Sequence, residues 1–409
     1  MNESVTDQQP TPAPAEEPEE KGPDKSPSLL RQIAAGDITA GFLAVFLSVL
    51  VGSVMIAATD DAVRESAGYL FAAPTDFFAA VWEAVWGAYT ALFRGAVYND
   101  RVDDFATQIR PLTETLKYSG PLIAAGLGVG IGFRAGLFNI GGRGQMLLAG
   151  AAAGYVGFKL DLPMIVHLPL AIVVGMAVAA LWGGLAGLLK ARTGAHEVIT
   201  TIMLNWVAYY LVLWALKQSY LLQTPGSANP KSLPMKDTAI LPDLLGDRFN
   251  LHLGFLLAIV AVAVMWWVMN RSTLGYRIRA VGESPTAARV AGIDVGRTYV
   301  TVMLIAGALV GLAGVNQTLG TTTSGVTPDL DAGIGFDAIT VALLGRSRPL
   351  GILAAGLLFG ALKAGGFTMQ TSENISVDLV LVVQSLIVLF LAAPPLVRAI
   401  FRLPSKEAK

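Results

Sequence analysis

Polar side chains and glycines interrupt an otherwise apolar sequence at residues 136–150, GLFNIGGRGQMLLAG. This stretch combines Asn139, Arg143 and Gln145 with five glycines. Polar residues near an intramembrane face are candidates for function by default. Backbone leaves helical geometry at membrane depth only where protein or a water-filled cavity satisfies its N–H and C=O groups. The stretch therefore favours either a short loop between helices or a broken helix beside a cavity.

Other polar residues lie at or within the apolar stretches that follow, namely Glu197, Asn205, Asn316, Gln317 and Asp337. Each of them alone is explained by a hydrogen bond between packed helices. Together with Asn139 and Gln145, four of them are candidates for a solute pathway: Asn205, Asn316, Gln317 and Asp337.

The sequence lacks the usual signatures of catalysis. Its three histidines, His167, His196 and His252, are scattered, and no H-E-x-x-H pair is present to hold zinc. No G-x-x-x-x-G-K-[ST] loop is present to bind ATP, and the absence of cysteine excludes disulfides and thiolate metal sites. We therefore predict no enzyme activity, no catalytic residues, no metal and no cofactor.

The composition indicates whether the elements that position these residues lie in water or in a membrane. Of 409 residues, 54% are hydrophobic and 14% are charged, and the mean hydropathy is +0.58. Soluble proteins carry about a quarter charged residues. The net charge of -1, from 29 basic and 30 acidic residues, gives no reason to expect nucleic-acid binding. We predict an all-α, polytopic membrane protein.

Apolar runs of about 20 residues, the length that crosses a hydrocarbon core of about 30 Å, define the domains. Residues 1–37 are rich in Pro, Glu, Lys and Ser and predict a disordered cytoplasmic tail. Residues 38–400 form the transmembrane domain, and residues 401–409 form a second cytoplasmic tail. Ten crossings are predicted, at residues 38–59, 113–133, 136–158, 164–189, 198–216, 251–269, 299–319, 335–345, 349–369 and 379–400.

Charge placement supports ten crossings with both termini inside, because short cytoplasmic loops collect Lys and Arg. On this count Arg143 lies at the cytoplasmic edge, whereas Asp329 and Asp331 lie outside. The other inner basic residues include Arg134, Lys190, Arg192, Arg271, Arg277, Arg279, Arg289, Arg297, Arg346, Arg348 and Arg402.

Two stretches echo each other. GIGFRAGLFNIGGR at residues 130–143 and GIGFDAITVALLGR at residues 333–346 agree at seven of fourteen positions. In the ten-crossing count the copies begin on opposite sides of the membrane, as in the inverted repeats of many transporters. Chance is the alternative in a chain so rich in glycine.

A short helix is predicted in the basic loop 270–297. Ser284 is a good N-cap, Pro285 suits the first helical position, and Gly292 can end the helix, which predicts two turns over residues 284–291. A capped surface helix is typical of a docking element. The alternative is contact of the arginines with anionic lipid, each worth about 1 kcal/mol, which explains the charge but not the caps.

Four motifs carry a resemblance over roughly residues 110–400: GLFNIGGRGQMLLAG, GAHEVITTIMLNWVAYYL, GYRIRAVGESPTAARVAGIDVGRTYV and VALLGRSRPLGILAAGLLFGAL. The chain resembles the permeases of bacterial ABC importers for sugars and nucleosides, in the branched-chain amino acid permease-like family, and above all the nucleoside permeases. One departure is Arg143, where the family usually has an acidic residue.

The resemblance implies a permease subunit of an importer in the bacterial cell membrane that takes up nucleosides. The alternatives are a permease for ribose or galactose, or a self-powered secondary transporter. The implied partners are an ABC ATPase, a sister permease, an extracytoplasmic substrate-binding lipoprotein and membrane lipid. A base would be expected to stack on an aromatic ring, for which the candidates are Phe138, Trp206 and Phe336. The implied ATPase-coupling residues are Gly282, Glu283, Ser284, Pro285, Ala287, Ala288, Arg289 and Gly292.

Overall fold

The computed structural model describes residues 37–246, 248–373 and 375–402, and apart from one isolated β-bridge their regular elements are helices. The all-α fold is therefore confirmed. Both predicted tails lie almost entirely outside the described residues. In chain order the α-helices are α1 (Asp37–Thr59), α2 (Asp61–Ala67), α3 (Pro74–Ala96), α4 (Phe105–Arg134), α5 (Gly142–Lys159), α6 (Met164–Thr193), α7 (Glu197–Ala215), α8 (Gly254–Arg271), α9 (Thr273–Glu283), α10 (Pro285–Val290), α11 (Val295–Asn316), α12 (Ile334–Leu344), α13 (Pro349–Glu373), α14 (Val377–Ala392) and α15 (Pro394–Ile400).

The centre of the bundle is the pair α6 and α11, which pack backbone to backbone. A Cβ atom at Gly183 would lie 2.6 Å from the carbonyl oxygen of Met303, and one at Gly307 would overlap the backbone of Ala179. Small residues at such crossings let helices approach closely without a hydrophobic driving force between them. Helix α4 packs on the same core, and α13 packs against α4.

Within the described ranges, five helices are long and apolar enough to cross a membrane: α6, α7, α8, the continuous Val295–Thr321 and α13. A bent pair, Val45–Thr59 with Asp61–Ala67, makes a sixth if it is one span. These match the predicted spans 164–189, 198–216, 251–269, 299–319, 349–369 and 38–59. Helix α12 has 11 residues, too few to cross alone. The protein is multi-pass, and the count of ten remains a prediction.

The bundle has two ends that differ in structure. One end, here called the α10 face, carries α9 and α10 together with the last turn of α4 and the turn between α12 and α13. Arg134 Nε donates to the Ser347 carbonyl oxygen at 3.0 Å, and a Cβ at Gly282 would overlap the Arg134 backbone. The start of α11 meets the end of α6 at this face, where Gly296 lies beside Ala191.

The other end, the opposite face, is capped by residues 216–246 and 248–253. The Lys236 N–H donates to the Gly157 carbonyl at 3.1 Å, and the Leu241 N–H donates to the Leu319 carbonyl at 2.8 Å. These bonds join the cap to the ends of α5 and of the π-helical turn Gln317–Thr321 that continues α11. The depth of a residue in the bundle is given below by its distance along a helix from one of these two faces.

The echo between residues 130–143 and 333–346 does not mark equal local structure. The first copy is the end of α4, a non-helical loop and the start of α5, whereas the second is almost entirely α12. A shared glycine and aromatic spacing is compatible with both geometries, because glycine adopts helical and non-helical backbone with similar ease. The inverted repeat is therefore not established by this echo.

Candidate functional site

Two helices begin at the same point inside the bundle. Helix α5 starts at Gly142 and α12 at Ile334, and a Cβ at Gly142 would lie 2.7 Å from the Gly335 carbonyl oxygen. Gln145 lies beside Gly183, which is ten residues inside the end of α6 at Thr193, or about 15 Å at 1.5 Å per residue. The meeting point is therefore well below the α10 face.

The loop at residues 135–141 reaches this point from the α10 face and is held by buried amides. Asn139 Nδ2 donates to Gln145 Oε1 at 3.2 Å, and Gln145 Nε2 donates to Asn139 Oδ1 at 3.1 Å. Both residues are at most 1% exposed. Both side chains are therefore buried. Their mutual hydrogen bonds hold this non-helical loop, here called the break, against the start of α5.

Helix α7 satisfies further polar groups of the break. Asn205 accepts from the Gly144 N–H at 2.8 Å and donates from Nδ2 to the Ile140 carbonyl at 2.8 Å. The Ile140 N–H donates to Thr201 Oγ1 at 3.3 Å. Non-helical backbone at this depth is tolerated only with such partners. Asn205 therefore positions the break as Asn139 and Gln145 do.

Residues 322–333 reach the meeting point from the opposite face, running beside α5 in the reverse direction. Val326 lies against Gly154, where a Cβ would come within 2.6 Å of it, and Leu330 fills the space beside Gly150. The glycines make a groove in α5 that admits this non-helical segment. The segment ends at Gly333, whose φ of 79° favours glycine, and α12 begins.

Arg143 lies where these elements converge. Its Nη2 is 3.5 Å from Asp329 Oδ1, its Nε is 3.3 Å from Asp331 Oδ1, and its Cζ is 5.3 Å from the centre of the Tyr209 ring. The Asp331 side chain is 5% exposed and that of Asp329 is 85% exposed. The buried Nε–H lacks an aligned hydrogen-bond acceptor among the described residues, so the 3.3 Å pair is ionic only.

This geometry corrects the predicted charge map. Arg143 was expected at the cytoplasmic edge, with Asp329 and Asp331 outside, but the three side chains are in contact. The prediction was wrong because it assumed that every segment between apolar runs lies at a surface. Here both segments enter the bundle, and their charges meet at depth.

Exposed aromatic rings border this charged group. The Trp206 and Tyr210 rings are stacked with centroids 6.3 Å apart, and both also contact Tyr209. Trp206 is 51% and Tyr210 61% exposed. We call Arg143, Trp206, Tyr209, Tyr210, Asp329 and Asp331 the mid-depth polar surface. Phe138 and Phe336, each about half exposed, flank it in sequence on the two entering segments.

Two predicted residues lie away from this surface. Asn316 and Gln317 are buried near the opposite face, where Asn316 packs against Gly254. The Asn316 amide lacks a hydrogen-bond partner within the described part of the chain. The two predicted acidic residues each form an ion pair with a lysine. Asp337 pairs with Lys363 at 3.6 Å, and Glu197 pairs with Lys190 at 2.8 Å.

Sequence reasoning missed four members of the surface: Tyr209, Tyr210, Asp329 and Asp331. One usable signal was present for the acids. They stand just before an apolar segment too short to cross a membrane, and such segments are typical of broken helices. Tyr209 follows Asn205 by four residues, and Tyr210 follows Trp206 by four, so one helical turn places each tyrosine beside a residue that was already a candidate.

The predicted docking helix is present as α10. Ser284 Oγ accepts from the Ala287 N–H at 3.2 Å, Pro285 is the first helical residue, and Gly292 has a φ of 80°. Ala287 is exposed and Val290 is 87% exposed.

One expectation about α10 fails. Ala288 was expected to face a partner, but it is 3% exposed and packs on Val281 and Val295. The exposed residues of α10 and its flank are Glu283, Pro285, Thr286, Ala287, Arg289 and Val290.

Comparison with known proteins gives consistent relatives. Residues 112–392 match the family of branched-chain amino acid transport system permease components. The guanosine ABC transporter permease protein of Bacillus subtilis is 36% identical over 77% of this chain and 88% of its own length. The nucleoside ABC transporter permease protein of Lactococcus lactis is 34% identical over 76% and 84%.

A third relative carries a sugar in its name. The glucose ABC transporter permease protein of Haloferax volcanii is 36% identical over 68% of this chain and 75% of its own length. No solved structure matches the chain. The apolar helices, the family match and these relatives agree, and the chain belongs to the branched-chain amino acid transport system permease family, the membrane permeases of ABC transporters.

Proposed function

We propose that this permease imports nucleosides and that the mid-depth polar surface forms one wall of their pathway. The observation that carries the proposal is the exposed Asp329 carboxylate beside Arg143 at a depth where lipid would surround the bundle. Charges at such depth face a bundle interior or a water-filled cavity. The surface therefore needs a second wall, which a sister permease supplies.

The chemistry of the surface suits a nucleoside. A carboxylate such as Asp329 accepts hydrogen bonds from ribose hydroxyls, and the Arg143 guanidinium donates to carbonyl or ring-nitrogen acceptors of a base. Exposed aromatic rings offer a face on which a base stacks, worth about 1–3 kcal/mol. The names of the guanosine and nucleoside relatives point to the same class.

A simple sugar is the second candidate, because one relative at 36% identity is named for glucose. A sugar would use the same carboxylates but would gain less from two stacked rings. Uptake of labelled guanosine and uridine should therefore depend on this chain, whereas uptake of ribose, galactose and glucose should not. Uptake of a sugar but of neither nucleoside would replace the proposal by the sugar candidate.

The remaining parts of the importer are inferred from the family. We place α10 and its face in the cytoplasm, with residues 270–297 as the loop that couples the transmembrane domain, residues 38–400, to an ABC ATPase. Both termini are then cytoplasmic, in the membrane of a bacterial cell, and a substrate-binding lipoprotein delivers the solute to the opposite face.

The chain has no nucleotide-binding loop, so we infer that it is not an enzyme and takes its energy from the ATPase. The purified chain should not hydrolyse ATP, and hydrolysis should appear only with the ATPase subunit present. ATP hydrolysis by the purified single chain that persists after contaminating proteins are removed would overturn this part of the proposal.

A further inference from the structure

A cleft of about 700 Å³ opens at the α10 face, away from the mid-depth polar surface. Its walls are the last turn of α4, the end of α8, helix α9 and the turn from α12 into α13. Four arginines line it: Arg134, Arg279, Arg346 and Arg348. The solute pathway proposed above uses none of them, and Arg279 is the only one of the four that lies in the coupling loop, residues 270–297.

The cleft has a strong excess of positive charge. No Asp or Glu lines it, and none of the four arginines forms an ion pair within the described residues. Arg134 gives its Nε–H to the Ser347 carbonyl, and Arg279 donates to the Met269 carbonyl. A guanidinium has five N–H donors, so most donors in the cleft remain available.

The turn between α12 and α13 fixes the backbone of Arg346 and Arg348. Arg346 and Ser347 have φ values of 52° and 51°, in the left-handed region that non-glycine residues rarely adopt. The turn persists because the Arg346 and Ser347 N–H groups cap the last carbonyls of α12, and because Gly345 and Gly351 are in direct backbone contact. Such strained residues cluster at ligand-binding sites.

One side of the cleft is apolar and exposed. Trp266, Met269, Leu344 and Leu350 line it, and Trp266 is 42% and Leu350 60% exposed. The exposed face of α8 continues upward from Trp266, so lipid chains would reach this wall. Trp is enriched at the level of lipid headgroups, and basic clefts between helix ends bind phosphorylated headgroups.

We propose that this cleft binds a phosphate group, supplied by the headgroup of an anionic phospholipid whose chains lie along the Trp266 wall. The arginines recognise the phosphate, because a guanidinium matches two phosphate oxygens with parallel N–H bonds. A free phosphate ester has the same headgroup chemistry but makes no use of the apolar wall.

The test compares ligands on the purified full chain in detergent. Short-chain phosphatidylglycerol, short-chain phosphatidylcholine and inorganic phosphate are titrated separately, and binding is read from the shift in melting temperature. Phosphatidylglycerol should give a saturable rise, with weaker effects from the other two.

The variant Arg346→Gln with Arg348→Gln should weaken phosphatidylglycerol binding about 30-fold, at about fivefold per arginine near a membrane surface. Neither side chain donates a hydrogen bond within the described residues, so folding should be retained. The matched control is Arg192→Gln with Arg277→Gln, which removes two exposed arginines from the same face but outside the cleft. If the double variant unfolds, Arg348→Gln alone gives the same comparison.

Arginine-dependent binding of inorganic phosphate alone would support the phosphate site and identify a soluble source. Equal weakening in the cleft variant and the control would overturn the proposal, as would the absence of binding by every ligand. Because uptake is not measured, failure here leaves the nucleoside proposal untouched, and failure of that proposal leaves the cleft untouched.

Discussion

Arg143 is a cation at the start of a helix, where the backbone dipole is already positive. Such a placement is unfavourable by about 0.3–1 kcal/mol unless carboxylates offset it, and Asp329 and Asp331 do so. The pair is interdependent, because removing one member leaves the other charge partly buried. Variants of the two residues can therefore separate the contribution of the pair to stability from its contribution to transport.

Arg143→Gln should lower the free energy of unfolding by about 3 kcal/mol, because Asp331 loses its partner. Adding Asp331→Asn should restore most of that stability, since no buried charge is then left unpaired and the remaining Asp329 carboxylate is exposed. Uptake should fall about tenfold or more in both variants, because a charged hydrogen bond to the solute is lost. Melting temperature and initial uptake rate measure the two effects.

Lys159→Gln is the control, since it removes an exposed charge from the other end of the same helix. It should change neither stability nor uptake appreciably. Full uptake by the double variant would mean that the ion pair is structural only, and Arg143 would then leave the proposed pathway.

His252 in the cap provides a pH-dependent contribution to stability. Burial lowers its pKa from 6.5 to about 4, and the positive charge of Lys117 adds to the shift. The Gly254 N–H donates to its Nδ1 at 3.2 Å, so protonation there also loses a hydrogen bond. The unfolded chain binds this proton below pH 6.5 and the folded chain only below about 4.

The free energy of unfolding should therefore fall as pH drops from about 6.5 to 4, at about 1.4 kcal/mol per unit, and this contribution should be constant above 6.5. His252→Gln should flatten that slope in thermal melts, whereas the exposed His196→Gln should leave it unchanged. An unchanged slope in His252→Gln would refute the assignment.

At the scale of single residues, the sequence identified the polar residues with a particular role more reliably than it identified their positions in the fold. Asn139, Gln145 and Asn205 are indeed at the break, but they bond to one another and to its backbone. A polar residue beside an apolar run has the same pattern whether it lines a path or braces a loop. Burial distinguishes the two, and burial depends on contacts far apart in the chain.

At the scale of elements, long apolar helices were predictable and partial ones were not. Spans such as 164–189 follow directly from length and hydropathy. Residues 322–333 and α12 together connect the opposite face with the α10 face, and neither part has the length that the rule requires. The glycines of α5 that seat the entering segment give no signal of their own, because their spacing also fits helix packing.

Helix α10 can be tested as a docking element now that its outward face is known. Ala287→Trp and Val290→Asp should abolish co-purification of the ATPase and uptake, with unchanged melting temperature, because both positions are exposed. Glu283→Ala and Arg289→Ala should weaken both more modestly by removing surface charges.

Ala288→Trp is a different experiment, because Ala288 packs inside the loop and added bulk should cost about 1–3 kcal/mol of stability. Arg192→Trp places the same bulk at an exposed site beyond α10 and should be neutral. If Ala287→Trp retains both uptake and the ATPase, α10 is not the coupling element.

At the scale of the whole molecule, two kinds of exposed surface cover the sides of the bundle. One is apolar, as on the outer sides of α6 and α8, where Leu181 is 70% and Val264 52% exposed. The other is the mid-depth polar surface. Only the first is compatible with hydrocarbon, since a charge at the bilayer centre costs about 2.5–3.5 kcal/mol even on insertion scales. The proposed partner permease must cover the second.

The absence of cysteine makes this distinction measurable in the membrane, because each introduced thiol is the only one in the chain. Asp329→Cys and Tyr210→Cys should react with a membrane-impermeant thiol reagent, since a water-filled pathway lets the thiol ionise to the reactive thiolate. Leu181→Cys and Val264→Cys, which are similarly exposed on the apolar outer sides of α6 and α8, should not react, because hydrocarbon excludes both the reagent and the thiolate. Excess guanosine should slow labelling at Asp329→Cys if the solute occupies this surface. Equal labelling at all four positions, or none at Asp329→Cys and Tyr210→Cys, would show that the charged group does not face a water-filled path.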